Sequence, residues 1–170
     1  MELKEVMKAR YSCKKYNGEK LSRVQLGAIL NAGKLAPTAK NLQEQHIYVA
    51  ESADALAKID AVTPCRYGAP TVLVVTFDKT NVYTYPGGVY QSGVEDATIV
   101  ATHMLLAAKD QGVDSCWVNN FDPDALHDSL GLPDHEQILM LLDLGFAAPD
   151  AGPLSNHTKR KDLSDTVSYL

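Results

Sequence analysis

The sequence runs to 170 residues with a formal net charge of −5, of which 45% are hydrophobic and 22% charged. Those values exclude a disordered or fibrous chain, and the length suits one domain spanning 1–170 around a single core. No run approaches the roughly 18 apolar residues that span a bilayer, and Met1-Glu2-Leu3-Lys4-Glu5 lacks the form of a secretory signal, so a soluble cytoplasmic protein is expected.

In chain order, Leu3 to Met7 reads as a short amphipathic helix stopping near Arg10. Ser22 and Gln25 have capping-box spacing, flanked by Leu21 and Leu26 as a hydrophobic staple. The helix they open carries Leu26, Ile29, Leu30 and Gly33 on one face and ends before Pro37. His46 to Ala50 reads as a strand, Ser52 to Val62 as a capped helix, and Thr71 to Phe77 as a buried strand. Residues 78–92, tyrosine-rich around a Pro-Gly-Gly turn, take no assignment. Gly93 to Gln111 is the longest helix, apolar through Ala97, Val100, Ala101, Met104, Leu105 and Ala108, and widened by Ile99 and Leu106. Such a face packs on a sheet and has room for a partner chain. Ser115 to Val118 is a short strand. Asp122-Pro123 opens a helix that ends at Gly131, and Ile138 to Phe146 is a further buried strand. Strands alternating with helices suggest, in isolation, a parallel α/β sheet.

Three cysteines (Cys13, Cys65, Cys116) are odd in number and widely spaced, which fits reduced thiols rather than a disulfide framework or metal site. The five histidines are scattered without ligand spacing, so no metal is expected. Charge is divided along the chain. Residues 1–40 carry nine Lys/Arg against three Asp/Glu, residues 41–158 four against sixteen, and the last twelve three against two. Nucleic-acid binding is disfavoured. The basic ends could hold a compact anion if they meet, or be solvated lysine-rich faces.

The common nucleotide-loop, zincin and hydrolase motifs (GxGxxG after a strand, GxxxxGK[ST], HExxH, GxSxG) do not occur. Two stretches remain unusual. In Arg10-Tyr11-Ser12-Cys13-Lys14-Lys15-Tyr16 an extended backbone would put Arg10, Ser12 and Lys14 on one face, where guanidinium, hydroxyl and ammonium could converge on an anion. In Ala36-Pro37-Thr38-Ala39-Lys40-Asn41-Leu42-Gln43 two amides at alternate positions could read the edge of a heterocycle.

Together these stretches resemble the FMN-dependent nitroreductase family. Arg10, Ser12, Lys14 and Tyr16 match its RRSxRxF-like opening, and Ala36, Pro37, Thr38, Asn41 and Gln43 match APSxxNxQPW. Residues 101–133 are similar to its LAAxxxGLGSCWIG region, Ile138 to Phe146 with Pro149 to its GyP strand, and Arg160 through Val167 to its closing RkPLeevv. The motifs are individually loose, but their order covers nearly the whole chain.

The resemblance implies an α+β fold with a mainly antiparallel sheet between helical layers, in place of the parallel sheet, and a homodimer with FMN at the subunit interface. It implies that Arg10 and Ser12, with Lys159 and Arg160, grip the FMN phosphate, while Tyr11 stands where a basic residue is usual and acts through its backbone. Lys14 would lie near N1 and the C2 carbonyl, easing flavin reduction. Pro37, Thr38, Ala39, Asn41 and Gln43 would come from the partner subunit, and Asn119-Asn120 would present backbone N–H groups near N5 and O4. The implied activity is hydride transfer from NADH or NADPH through flavin N5 to a small acceptor such as a nitroaromatic or quinone, with no side-chain nucleophile or base. A flavin-binding sensor or storage module, or another flavin chemistry on the scaffold, are the alternatives. Glu44 and Gln45 depart from the usual Pro-Trp and could put negative charge near the site. Tyr83, Tyr85 and Tyr90 lie where longer members carry a substrate-covering insertion, as a lid or as packed surface.

Overall fold

The computed structural model describes residues 1–170. Five helices surround one sheet: α1 (Leu3–Ala9), α2 (Arg23–Lys34), β1 (Gln45–Ala50), α3 (Ala53–Val62), β2 (Thr71–Asp78), α4 (Gly93–Asp110), β3 (Asp114–Val118), α5 (Pro123–Leu130) and β4 (Glu136–Gly145). Local chemistry sets the helix starts. Ser22 Oγ accepts from the Gln25 N–H while Gln25 Oε1 accepts from the Ser22 N–H, closing the capping box. Ser52 accepts from the Ala55 N–H, Asp122 from those of Asp124 and Ala125, and α5 ends at Gly131 in the left-handed conformation.

The sheet order is β1-β2-β4-β3, and every pairing is antiparallel. The expected parallel α/β sheet is therefore wrong, and the α+β architecture is the one observed. The cause is burial. Parallel strands read as continuous apolar runs because helices cover both faces. Here an antiparallel sheet is covered on both faces, so β2 carries the same signature. Leu73, Val75 and Phe77 pack with Met140, Leu142 and Leu144 against α2 and α4. Val72 and Val74 pack with Cys116, Ile138 and Leu141 toward Ile59 of α3 and Leu126 of α5. A bulge between Val75 and Thr76 adjusts β2 to β4.

The long helix α4 buries Ala97, Val100, Ala101, Met104 and Ala108, and leaves Val94 and Ile99 exposed. Its contact with α2 is close enough that a Cβ at Gly33 would lie 2.8 Å from Met104 Cγ. Residues 78–92 form a small turn closed by the Thr84–Gln91 bridge, with Tyr83, Tyr85 and Tyr90 packed edge to edge. The last eighteen residues are exposed apart from a half-buried His157 around a short helical turn at Leu163–Asp165.

Candidate functional site

The chain leaves α1 at Arg10 in extended conformation and runs beside β3. Ser12 bridges Ser115 in parallel, and the Cys13 N–H donates to the Ser115 carbonyl at 2.9 Å. Farther on, Tyr16 bridges Ala147, and a Cβ at Gly145 would lie 2.8 Å from its ring and 2.9 Å from Pro70 Cδ. The alternation expected of an extended segment holds only over Ser12 to Lys14. Cys13 is buried, and Ser12 and Lys14 line a pocket on the other side, whereas Arg10 does not line it and Tyr16, of the same parity, is buried.

The end of β3 supplies Cys116, Asn119 and Asn120 to that pocket, and the α3–β2 connection supplies Cys65 and Tyr67. Tyr67 sits at φ +53°, uncommon for an aromatic residue, just before Gly68 at φ +82°. This turn sets the Tyr67 ring 5.8 Å from Lys14 Nζ. Thr63 Oγ1 donates to the Asn120 carbonyl at 2.6 Å, Asn120 Nδ2 donates to Cys65 Sγ at 3.4 Å, and Trp117 Nε1 donates to Asn119 Oδ1. Donors on the sulfur, from the Tyr67 hydroxyl first and then Asn120, hold the Cys65 thiol below its ordinary pKa.

Several donors at this pocket are unpaired within the chain. Lys14 enters no ion pair, nor does Arg10, which lies outside the pocket lining, and the backbone N–H groups of Asn119 and Asn120 donate to no backbone carbonyl. A polyanion with a hydrogen-bonding ring edge fits such a donor set. The pocket volume is about 270 Å³, below the roughly 300–1,000 Å³ that encloses a drug-sized ligand. It is a shallow, open pocket rather than a closed cavity. A larger cleft of about 530 Å³ beside α5, lined by Lys79, His127 and Glu136 among others, holds none of the expected residues.

The tail approaches the same wall. Leu154 lines the pocket and His157 meets Tyr11 edge-on, with ring centroids 6.4 Å apart. Arg160 is turned onto its own backbone, donating to the carbonyls of His157 (2.6 Å) and Lys159 (2.7 Å). Lys159 is exposed. The structure thus joins Ser12, Lys14, Asn119 and Asn120, with Tyr11 beside the tail that carries Lys159 and Arg160.

The second stretch lies elsewhere. Pro37, Thr38, Ala39, Asn41 and Gln43 form a loop at the start of α4, and none of them lines the pocket. Lys40, Asn41 and Gln43 all have positive φ, near +55°. The Ala39 N–H donates to Asp96 Oδ1 at 2.9 Å, and the Gln43 N–H to Thr38 Oγ1 at 3.1 Å. Lys40 Nζ lies 4.5 Å from the Tyr83 ring centroid, so the tyrosine-rich turn packs on this loop. Glu44 is buried rather than displayed. Its side chain faces Ser92 and Asp96, and burial with the neighbouring acid pushes its carboxyl up to about 7.

The sequence model of the nitroreductase family matches residues 7–63 and 64–146. The chain belongs to the nitroreductase family. A solved nitroreductase family protein from Clostridium difficile 630 is 33% identical, with 99% of this chain and 98% of that one aligned at a TM-score of 0.92. An Archaeoglobus fulgidus relative, provisionally named an NADH dehydrogenase/NAD(P)H nitroreductase, is 27% identical over 81% of this chain and 80% of its own. A protein from Exiguobacterium sibiricum, provisionally named a nitroreductase and solved in complex with FMN, shares the fold at a TM-score of 0.86 and 19% identity, covering 100% of this chain and 98% of that one. Membership in the nitroreductase family agrees with the antiparallel sheet and with the ordered motifs from Arg10 to Val167.

Cys65, Tyr67, Cys116 and Leu154 are pocket residues that sequence reasoning missed. Tyr67-Gly68 is legible as a turn, but nothing in the pair tells which way the ring faces.

Proposed function

We propose that the protein is an FMN-dependent oxidoreductase that moves a hydride from NADH or NADPH, by way of flavin N5, to a small acceptor such as a nitroaromatic or quinone. The observation that carries this reading is the convergence of Ser12, Lys14 and the free N–H groups of Asn119 and Asn120 on one shallow wall in a nitroreductase family chain. The NAD(P)H in the name of the Archaeoglobus relative and the FMN held by the Exiguobacterium protein support the donor and cofactor.

Bound FMN supplies the two-electron chemistry, and the chain's residues hold and tune it. Arg10, Ser12, Lys159, Arg160 and the backbone at Tyr11 hold the phosphate, with Arg160 leaving its intrachain carbonyls to do so. The Lys14 ammonium would face the bound flavin and favour negative charge on its ring. The N–H groups of Asn119 and Asn120 orient the opposite edge. No side-chain nucleophile or general base is required.

The site is completed by a second copy of the chain. The pocket falls below the roughly 300–1,000 Å³ that encloses a drug-sized ligand, and the loop from Pro37 to Gln43 lies away from it, so in this reading the loop serves the partner's pocket. Exposed apolar residues are available for the interface: Leu3 and Met7 on α1, Val94 and Ile99 on α4, and Leu163 and Val167 on the tail. Residues 1–170 form one FMN-binding domain per subunit in this reading. No helix is long and apolar enough to cross a membrane.

The test is reconstitution. Protein titrated with FMN and assayed with a nitroaromatic or quinone should oxidise NADH or NADPH in proportion to bound flavin, with parallel double-reciprocal lines. No flavin-dependent oxidation of either nucleotide would overturn the assignment.

A further inference from the structure

Six buried side-chain oxygens lack a hydrogen-bond partner, and two of them are Glu44 Oε2 and Asp96 Oδ2. Each acid is 4% exposed, and the two are neighbours at the start of α4, where Glu44 Oε1 meets Ser92 and the Asp96 N–H donates to the Ser92 carbonyl. Two buried acceptors with no donor between them would be costly, and two adjacent buried carboxylates more so. A single hydrogen placed between them satisfies both orphaned oxygens.

The remaining oxygens tie this pair to its surroundings. Asp96 Oδ1, on the first turn of α4, accepts the Ala39 N–H at 2.9 Å. Ser92 Oγ donates weakly to Glu44 Oε1 at 3.4 Å and itself accepts from the Tyr83 N–H. The Glu44 carbonyl accepts from the Asp78 N–H at 2.9 Å. Glu44 directly follows Gln43, so the two acids grip the loop at its middle and at its end.

We propose that Glu44 and Asp96 share one proton and act as an acid latch that holds the 36–43 loop on the start of α4. With the proton in place, Asp96 is fixed as the acceptor for Ala39. Once it is lost, two carboxylates face each other in a buried site and the closed loop is destabilised. The other charged groups nearby do not relieve this repulsion. Lys40 lies on the Tyr83 ring and enters no ion pair with either acid, while the Asp78 carboxylate is turned to Thr80.

The sign of the pH effect follows. The closed loop holds its proton up to about pH 7, whereas an opened, solvated Glu44 releases it near 4.5. Between these values the closed form binds more protons, so opening grows with pH by at most about tenfold per unit and levels off above 7. On the reading that this loop completes the partner's flavin site, cofactor retention weakens over the same range.

Amide hydrogen exchange on flavin-free protein tests the latch without involving FMN. After correction for intrinsic exchange, protection of Ala39 in the wild type should fall between pH 5 and 7 and then stay level. Glu44→Gln, which carries its own donor and cannot titrate, should keep Ala39 protected and flat across pH 5–8. A wild type whose Ala39 protection does not change with pH would overturn the latch, as would a Glu44→Gln variant that follows the wild-type curve. The wild-type series decides alone if the variant does not fold. FMN affinity at pH 5.5 and 8, compared between wild type and variant, then separates the two readings. If Ala39 titrates but affinity differs between them at neither pH, the latch stands and the placement of the loop in the flavin site fails.

Discussion

Cys116 and Asp143 are direct partners across the β3–β4 ladder, both facing the α3–α5 side of the sheet. Cys116 forms part of the pocket wall, while Asp143 is fully buried with neither carboxylate oxygen bonded. Burial pushes the Asp143 carboxyl up to about 8, against a smaller opposing pull from Arg66. The folded protein therefore binds a proton here that the unfolded chain releases near 4, so stability falls as pH rises from about 4 to 8, by up to about 1.4 kcal/mol per unit. Asp143→Asn removes this slope. Urea unfolding at pH 5 and 8 should show the wild type losing stability while the variant changes less, and equal losses in both would refute the assignment.

Cys65 is the one cysteine with donors on its sulfur and partial exposure, whereas Cys13 and Cys116 are buried and burial raises their thiols. Mass spectrometry after brief iodoacetamide treatment near neutral pH should find Cys65 modified first. Prior addition of FMN should slow that reaction. Equal labelling with and without FMN would remove Cys65 from the cofactor's wall.

The phosphate grip is tested by Arg10→Ala and Arg160→Ala. Each charge-assisted contact contributes about 1.5–3 kcal/mol, so each variant should weaken FMN binding by roughly 10- to 100-fold. Fluorescence titration of FMN measures this. Unchanged affinity in the double variant would refute the grip. Lys14→Met should mainly lower the reduction potential of bound flavin, read by dye-equilibrated reduction.

Gly145 gives a structural prediction. Its absent Cβ makes room for the buried Tyr16 ring and for the ring of Pro70. Gly145→Ala should cost about 1–3 kcal/mol of stability through overpacking, measured by denaturant unfolding. It should also weaken FMN binding, because Tyr16 anchors the end of the segment that presents Ser12 and Lys14.

Legibility in the sequence followed the range of the interaction. The caps at Ser22, Ser52 and Asp122 and the stop at Gly131 are satisfied within one helical turn, so the residues alone mark them. Strand direction depends on which distant segments pair, and β2, apolar along its whole length, is equally compatible with either sense. The pairing of Ser12 with Lys14 on one wall was readable because an extended backbone fixes which residues share a face, whereas Arg10, at the end of α1, does not line that wall. Cys65 and Tyr67 reach the same wall only through the fold of the α3–β2 connection, and the raised carboxyl of Glu44 comes from its burial and from Asp96, fifty-two positions away. Neither leaves a local pattern.

The central claim is that this chain binds FMN and that the flavin is reduced by a nicotinamide nucleotide. Its most direct test is the visible spectrum of FMN-loaded protein without oxygen, recorded before and after NADH and NADPH are added separately. The account predicts a protein-bound flavin spectrum that bleaches with at least one nucleotide. A protein that takes up no FMN, or whose bound flavin keeps its colour with both nucleotides, would contradict it.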